Sequence, residues 1–134
     1  KKSNRLIGVC LGMQILFSKS NEGSETGLDL IKGSVKKFDN PKGKLPHMGW
    51  NKVIWSDQKL NDFFDIKEHS WFYFAHSFYA KPEDSSLSVG TTNGPNKFCS
   101  VIRKNNITGL QFHPEKSGPF GIKFIKKLLD ENLC

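Results

Sequence analysis

The residues best placed to do chemistry are Gly8-Val9-Cys10-Leu11-Gly12 and His113-Pro114-Glu115. The first is a G-x-C-x-G pentapeptide between a short apolar run, Leu6-Ile7-Gly8-Val9, and a stretch with helical spacing. It is the thiol counterpart of the strand-turn-helix nucleophile elbow. Glycines two residues to either side relieve crowding in such a turn. The helix start beyond supplies N–H groups that favour thiolate over thiol, and the N–H of Leu11 lies where an oxyanion would develop. A buried cysteine in a glycine-rich turn accounts for the same five residues equally well. His113 and Glu115, at i and i+2 of an extended segment, point to one side, so the carboxylate can hold one imidazole tautomer. A neutral imidazole so held could take a thiol proton and return it to a leaving amine. The competing account is a strand-ending turn in which Pro114 breaks the ladder and Glu115 is solvated.

The remaining candidates point to less. His47 and His76 sit beside Met48-Gly49-Trp50 and Ser77-Phe78, but neither has metal-ligand spacing to another His or Cys, so no metal is expected. His69 is expected at the surface. Trp71-Phe72-Tyr73-Phe74 lacks interleaved Arg or Lys and reads as core rather than as a platform for stacking bases. Three cysteines, Cys10, Cys99 and Cys134, with no C-x-x-C pair, argue against a disulfide scaffold or zinc site and for a reducing, cytoplasmic setting.

Twenty Lys+Arg against 13 Asp+Glu give a net charge of +7. The basic residues are scattered and almost all Lys, with Arg5 and Arg103 the exceptions, so no nucleic-acid partner is expected. No apolar run approaches the roughly 20 residues of a membrane span, so neither an anchor nor a signal peptide is expected. A length of 134 residues with 37% hydrophobic composition fits one domain, residues 1–134.

These residues need elements to position them. Leu6 to Val9 is predicted as a buried parallel strand, and a helix is predicted after Cys10 from Leu11 and Ile15 towards Phe17-Ser18. A loop is expected over Ser20 to Gly27, extended segments over Ile31 to Phe38 and Asn51 to Trp55, and a turn over Asn40 to Lys44. Asp57 to Phe64 reads as a short capped helix and Trp71 to His76 as a buried strand. Phe98 to Lys104 and Ile107 to Phe112 flank Asn105-Asn106 as a hairpin. Phe120, Phe124, Ile125 and Leu128 give an amphipathic C-terminal helix after Pro119.

Four segments occur in the order seen in class I glutamine amidotransferases: Gly8 to Gln14, Pro46-His47-Met48-Gly49-Trp50-Asn51, Phe74-Ala75-His76-Ser77, and Gly109 to Ser117. The P-H-M-G-W-N and Q-F-H-P-E-K-S stretches are most similar to the glutaminase subunit of imidazole glycerol phosphate synthase. The resemblance runs from Leu6 to the C-terminal helix. It implies an open, mostly parallel α/β sheet with flanking helices and added β-hairpins, a flavodoxin-like fold whose N-terminal units are absent here. It implies a glutaminase in which Cys10 attacks the glutamine amide, His113 moves the proton and Glu115 orients His113, with no cofactor.

The same resemblance implies oxyanion and substrate contacts from Leu11, Gly12, Gln14, His76, Ser77 and Phe78. Phe78 departs from the Tyr usual there, a small change if the contacts are made by backbone. The partner implied is a (β/α)₈-barrel cyclase, forming a heterodimer and receiving ammonia for histidine biosynthesis, with Pro46, Met48, Trp50 and Lys116 on the partner face. The alternative is a related amidotransferase supplying ammonia for amino-sugar synthesis in surface polysaccharide; a basic, non-catalytic binding module is the other class considered. The chain begins one strand before the nucleophile, so the family's Gly-rich oxyanion loop is missing, and these residues alone are expected to have little activity.

Overall fold

The computed structural model describes residues 4–20, 26–39, 45–56, 58–65 and 71–130. The expected turn over Asn40 to Lys44, Asp57, His69 and Cys134 lie outside the described residues, as does most of the expected loop after Ser20. Among the described residues ten strands run in chain order: β1 Leu6–Val9, β2 Phe17–Ser20, β3 Ile31–Lys37, β4 His47–Lys52, β5 Ile54–Trp55, β6 Trp71–His76, β7 Phe78–Pro82, β8 Ser88–Asn93, β9 Lys97–Lys104 and β10 Ile107–Leu110. Three α-helices accompany them among the same residues: α1 Leu11–Gln14, α2 Gln58–Phe64 and α3 Gly118–Asp130. None is long and apolar enough to cross a membrane.

The main sheet has the order β1-β10-β9-β7-β3-β2, with β8 also paired to β9 and β5 to β8. A separate ribbon pairs β4 with β6. The mixed α/β architecture agrees with expectation, but the proportion of parallel pairing differs. Among the described residues β1–β10 and β2–β3 are parallel and the other pairs antiparallel. Short connections account for the antiparallel β8–β9 and β9–β10 pairs, whose strands are joined by turns too short for a parallel crossover. The Asn105-Asn106 turn is such a connection: Ile107 faces Lys104 across it, and Asn105 takes a φ of 54° that Asn tolerates.

Two clusters form the core. Phe64, Phe72, Phe74, Phe98, Phe112 and Phe124 lead the larger one, which the ribbon, α2 and α3 help to close. Met13, Leu16, Phe17, Ile31, Val35, Ala80, Cys99 and Ile102 make the smaller. Within α3, Phe124 and Leu128 are buried one helical turn apart, as the periodicity required.

Four local expectations change. The helix after Cys10 is a single turn, and the inward residues are Met13, Leu16 and Phe17, whereas Leu11 and Ile15 are exposed. Phe17 instead opens β2, whose ladder with β3 takes up the backbone groups that a longer helix would have used. The segment around Asn51 to Trp55 is two strands, broken at Val53 and starting earlier, at His47. Strand β6 buries only alternate residues, Phe72, Phe74 and His76, because one face of the ribbon is open. Strand β1 is parallel as expected but only partly buried: Leu6 is exposed and Ile7 and Val9 are half-buried.

Candidate active site

Strand β1 runs beside β10, Val9 opposite Leu110, and the Cys10 N–H extends the ladder to the Leu110 carbonyl at 2.7 Å. The chain then turns sharply. Cys10 has φ 56° and ψ −109°, a conformation strained for a side chain with a Cβ. The Cys10 carbonyl accepts the N–H groups of Met13 and Gln14, which begins α1 at once. Gly8 is required by this turn: a Cβ there would lie 2.4 Å from the Gly12 carbonyl oxygen. A Cβ on Gly12 would meet nothing within 4 Å, so the two glycines do not share the role read for them in sequence. The N–H groups of Leu11 and Gly12 occupy the first positions of α1, where an α-helix offers them no internal acceptor.

His113 reaches the same place by another route. Its N–H donates to the Tyr73 carbonyl at 2.8 Å, forming an isolated bridge to β6. The Cys10 thiol lies 3.9 Å from the Ala75 carbonyl, two residues further along β6. Cys10 and His113, the candidate nucleophile and base, are therefore held against one strand at positions about 7 Å apart along it. The His113 Nδ1 is 3.3 Å from Glu115 Oε2, the pairing expected from i and i+2, and this leaves Nε2 to exchange a proton. Pro114–Lys116 forms a single 3₁₀ turn that carries Glu115 back towards the ring.

Two supporting residues escaped the sequence reading. Ser117 is buried and accepts the Tyr73 N–H at 2.9 Å while donating to the His113 carbonyl at 2.6 Å, which closes a ring of hydrogen bonds around the base. Gln111 is fully buried with its Nε2 3.8 Å from Cys10 Sγ. A polar residue amid Leu110 and Phe112 is the signal that could have found Gln111: a buried amide in an apolar run needs a partner.

The expected substrate residues are differently engaged. Gln14 is buried and donates through Nε2 to the Phe78 carbonyl, 3.3 Å, and to Gln111 Oε1, 3.2 Å. His76 turns inward, its Nδ1 2.7 Å from the Phe78 carbonyl and its Nε2 2.9 Å from His47 Nδ1. Burial pushes the His76 imidazole down to about 4 and lowers His47 as well. The Ser77 carbonyl accepts the Phe38 N–H. The side chains of Gln14 and His76 thus brace the floor beside Cys10 rather than lie open to solvent.

On the far side, Met48 and Trp50 point outward from β4, and Pro46 and Lys116 are exposed. The Trp50 ring lies 3.8 Å from where a Cβ on Gly118 would sit, so the segment after Lys116 and the outer ribbon face adjoin.

The sequence profile described as "Glutamine amidotransferase class-I" matches residues 2–131. An imidazole glycerol phosphate synthase subunit HisH from Chlorobium chlorochromatii is 46% identical over 128 residues, covering 92% of this chain and 62% of that protein. The HisH subunit of Methanocaldococcus jannaschii is 48% identical over 126 residues, with the same coverage, so the chain spans less than two thirds of the relatives it matches. A crystal structure of a glutamine amidotransferase from Thermotoga maritima superposes with a TM-score of 0.57 over 92% of this chain and 46% of that one, at 21% identity, which speaks for the fold. With the family profile covering nearly every residue of a chain whose Cys10 elbow and His113–Glu115 pair meet on one strand, the chain belongs to the class I glutamine amidotransferases.

Proposed function

We propose that this chain carries the catalytic part of a glutaminase serving imidazole glycerol phosphate synthase. The observation that supports it most is the strained Cys10 at the β1–α1 turn, held on the same strand as the His113–Glu115 pair. His113 Nε2 takes the thiol proton as sulfur attacks the glutamine side-chain carbonyl. Charge on the carbonyl oxygen falls to the N–H groups of Leu11 and Gly12. His113 then returns the proton to the leaving nitrogen, ammonia departs, and water activated by the same imidazole cleaves the thioester to glutamate. Gln14 and the backbone of Ser77 and Phe78 form the substrate wall beside the sulfur.

The ammonia acceptor in this reading is a cyclase subunit of barrel fold, docked on the face formed by Pro46, Met48, Trp50 and Lys116, in the cytoplasm. The relatives' shared subunit name supports this choice of synthase. The test uses a full-length form with its cyclase. Cys10→Ala should abolish product formation from glutamine while leaving formation from supplied ammonia intact. Retention of the glutamine-dependent reaction, or loss of both, defeats the proposal.

A further inference from the structure

We infer that Gln111 is a positioning residue for the nucleophile, its carboxamide N–H held on Cys10 Sγ by a directed chain of hydrogen bonds that ends at Asn51 on the β4–β6 ribbon. The inference deepens the glutaminase reading and rests on it for the role of Cys10.

The direction of every bond in the chain is fixed by the Phe78 carbonyl, at which its two branches meet. The Phe78 carbonyl can only accept, so Gln14 must turn its Nε2 towards it, 3.3 Å away. The other proton of that amide faces Gln111 at 3.2 Å, which requires Gln111 to present Oε1 there. Gln111 therefore points Nε2 at Cys10 Sγ, 3.8 Å away. A flipped Gln111 would set two N–H groups against each other in a site with no exposure.

The same carbonyl accepts from His76 Nδ1, which leaves His76 Nε2 as an acceptor for His47 Nδ1 at 2.9 Å. His47 Nε2 in turn accepts from Asn51 Nδ2 at 3.0 Å, and that amide also donates to the Asn93 carbonyl at 2.8 Å. Both imidazoles must be neutral for this order to hold. Burial, which lowers both, keeps them so.

The consequence concerns the charge on sulfur. The thiol proton has the Ala75 carbonyl as acceptor, which stabilises the neutral form. Gln111 is the opposing group, because an N–H aimed at sulfur stabilises the anion. As its Oε1 is already fixed by Gln14, Gln111 cannot rotate away when the charge appears, so the donor is pre-organised.

The test is the pH dependence of Cys10 alkylation by iodoacetamide, in which the thiolate displaces iodide, read at the Cys10 peptide by mass spectrometry. Gln111→Met keeps the volume and removes the donor. It should shift the titration up by about one unit and slow alkylation near neutral pH about tenfold, with the plateau at high pH unchanged. Should Gln111→Met fail to fold, Gln111→Glu keeps the shape, faces the sulfur with a carboxyl group, and should shift the titration upward at least as far. A folded variant whose profile overlays that of the parent overturns the inference. Labelling by a glutamine-like electrophile separates the two proposals: a profile that moves with Gln111 in a protein that never labels fails only the glutaminase reading, and labelling with an immovable profile fails only this one.

Discussion

Gly8 and Gly12 flank Cys10 symmetrically in sequence and asymmetrically in space, which makes the turn testable one residue at a time. A methyl group on Gly8 collides with backbone, 2.4 Å from the Gly12 oxygen and 2.9 Å from the Met13 nitrogen, neither of which can swing aside. Gly8→Ala should therefore cost on the order of 1–3 kcal/mol in urea unfolding and blunt Cys10 reactivity. Gly12→Ala meets open space and replaces a poor helix former with a good one, so its unfolding midpoint should not fall. Equal losses in the two variants would contradict the geometry of the turn. His113 and Glu115, the proposed base and its orienter, should differ in the same graded way. In the proposed mechanism, removing His113 deletes proton transfer, about 10²–10⁴ in rate, whereas Glu115→Gln retains a hydrogen-bond acceptor for Nδ1. Glutamate release by the full-length protein should accordingly fall far more in His113→Ala than in Glu115→Gln. Ser117, which braces the His113 carbonyl and the Tyr73 N–H, accounts for part of that tolerance: the backbone of the base is fixed without Glu115.

At the level of elements, β6 is the strand on which the site depends, since Ala75 meets Cys10 and Tyr73 meets His113. The stack of Phe72 on Phe112, centroids 4.0 Å apart, clamps β6 to the residue preceding His113. Phe112→Ala should cost about 3–5 kcal/mol by chemical denaturation, as full burial of both rings requires. The buried end of β6 sets a pH dependence. Burial pushes the His76 imidazole from its ordinary 6.5 down to about 4, so between those values the unfolded chain binds more protons. Stability is thus intact above about pH 6.5 and declines towards pH 4, by about 3 kcal/mol for this group, with His47 adding in the same direction. Thermal melts across that range should show the decline, and His76→Gln should flatten it; a parent protein with a level profile would refute the assignment. Sequence alone exposed what is local: the strand before Cys10, the Asn105-Asn106 hairpin and the period of α3. It also brought Cys10 and His113–Glu115 forward as a pair, through motif types rather than through contact. The β4–β6 pairing, the single-turn α1 and the chain from Asn51 to Gln111 were not legible. The ribbon and the hydrogen-bond chain join residues far apart in sequence and leave no periodic trace in either strand, and α1 stops because Phe17 enters the β2–β3 ladder, a pairing equally hidden in the local pattern.

Taken as a whole, the molecule turns two faces of the ribbon to opposite uses. His47 and Asn51 point in towards the Gln14–Gln111 network, while Met48 and Trp50 on the same strand and Trp71 on β6 remain more than half exposed, at 63%, 54% and 51%. Three large apolar side chains on one outward face are unusual for solvent-facing surface, and Trp is the residue most favoured as a binding anchor. Lys116 stands exposed one residue beyond Glu115, and the Trp50 ring adjoins the segment that follows it, so the aromatic and the charge share a face next to the candidate site. If the proposed cyclase docks here, the two residues should contribute unequally. Trp50→Ala should weaken the complex at least about tenfold, as loss of a central aromatic anchor does. Lys116→Ala, losing a rim ion pair, should cost about 1 kcal/mol or less and should matter less as salt rises. Because Trp50 is more than half exposed and meets Tyr73 edge-on, with ring centroids 6.3 Å apart, its removal should leave the unfolding midpoint nearly unchanged, in contrast with Phe112→Ala. Calorimetric titration of the full-length variants against the cyclase, paired with their denaturation curves, decides the matter. Parental affinity in Trp50→Ala would move the docking face elsewhere, and a stability loss matching that of Phe112→Ala would make Trp50 part of the core.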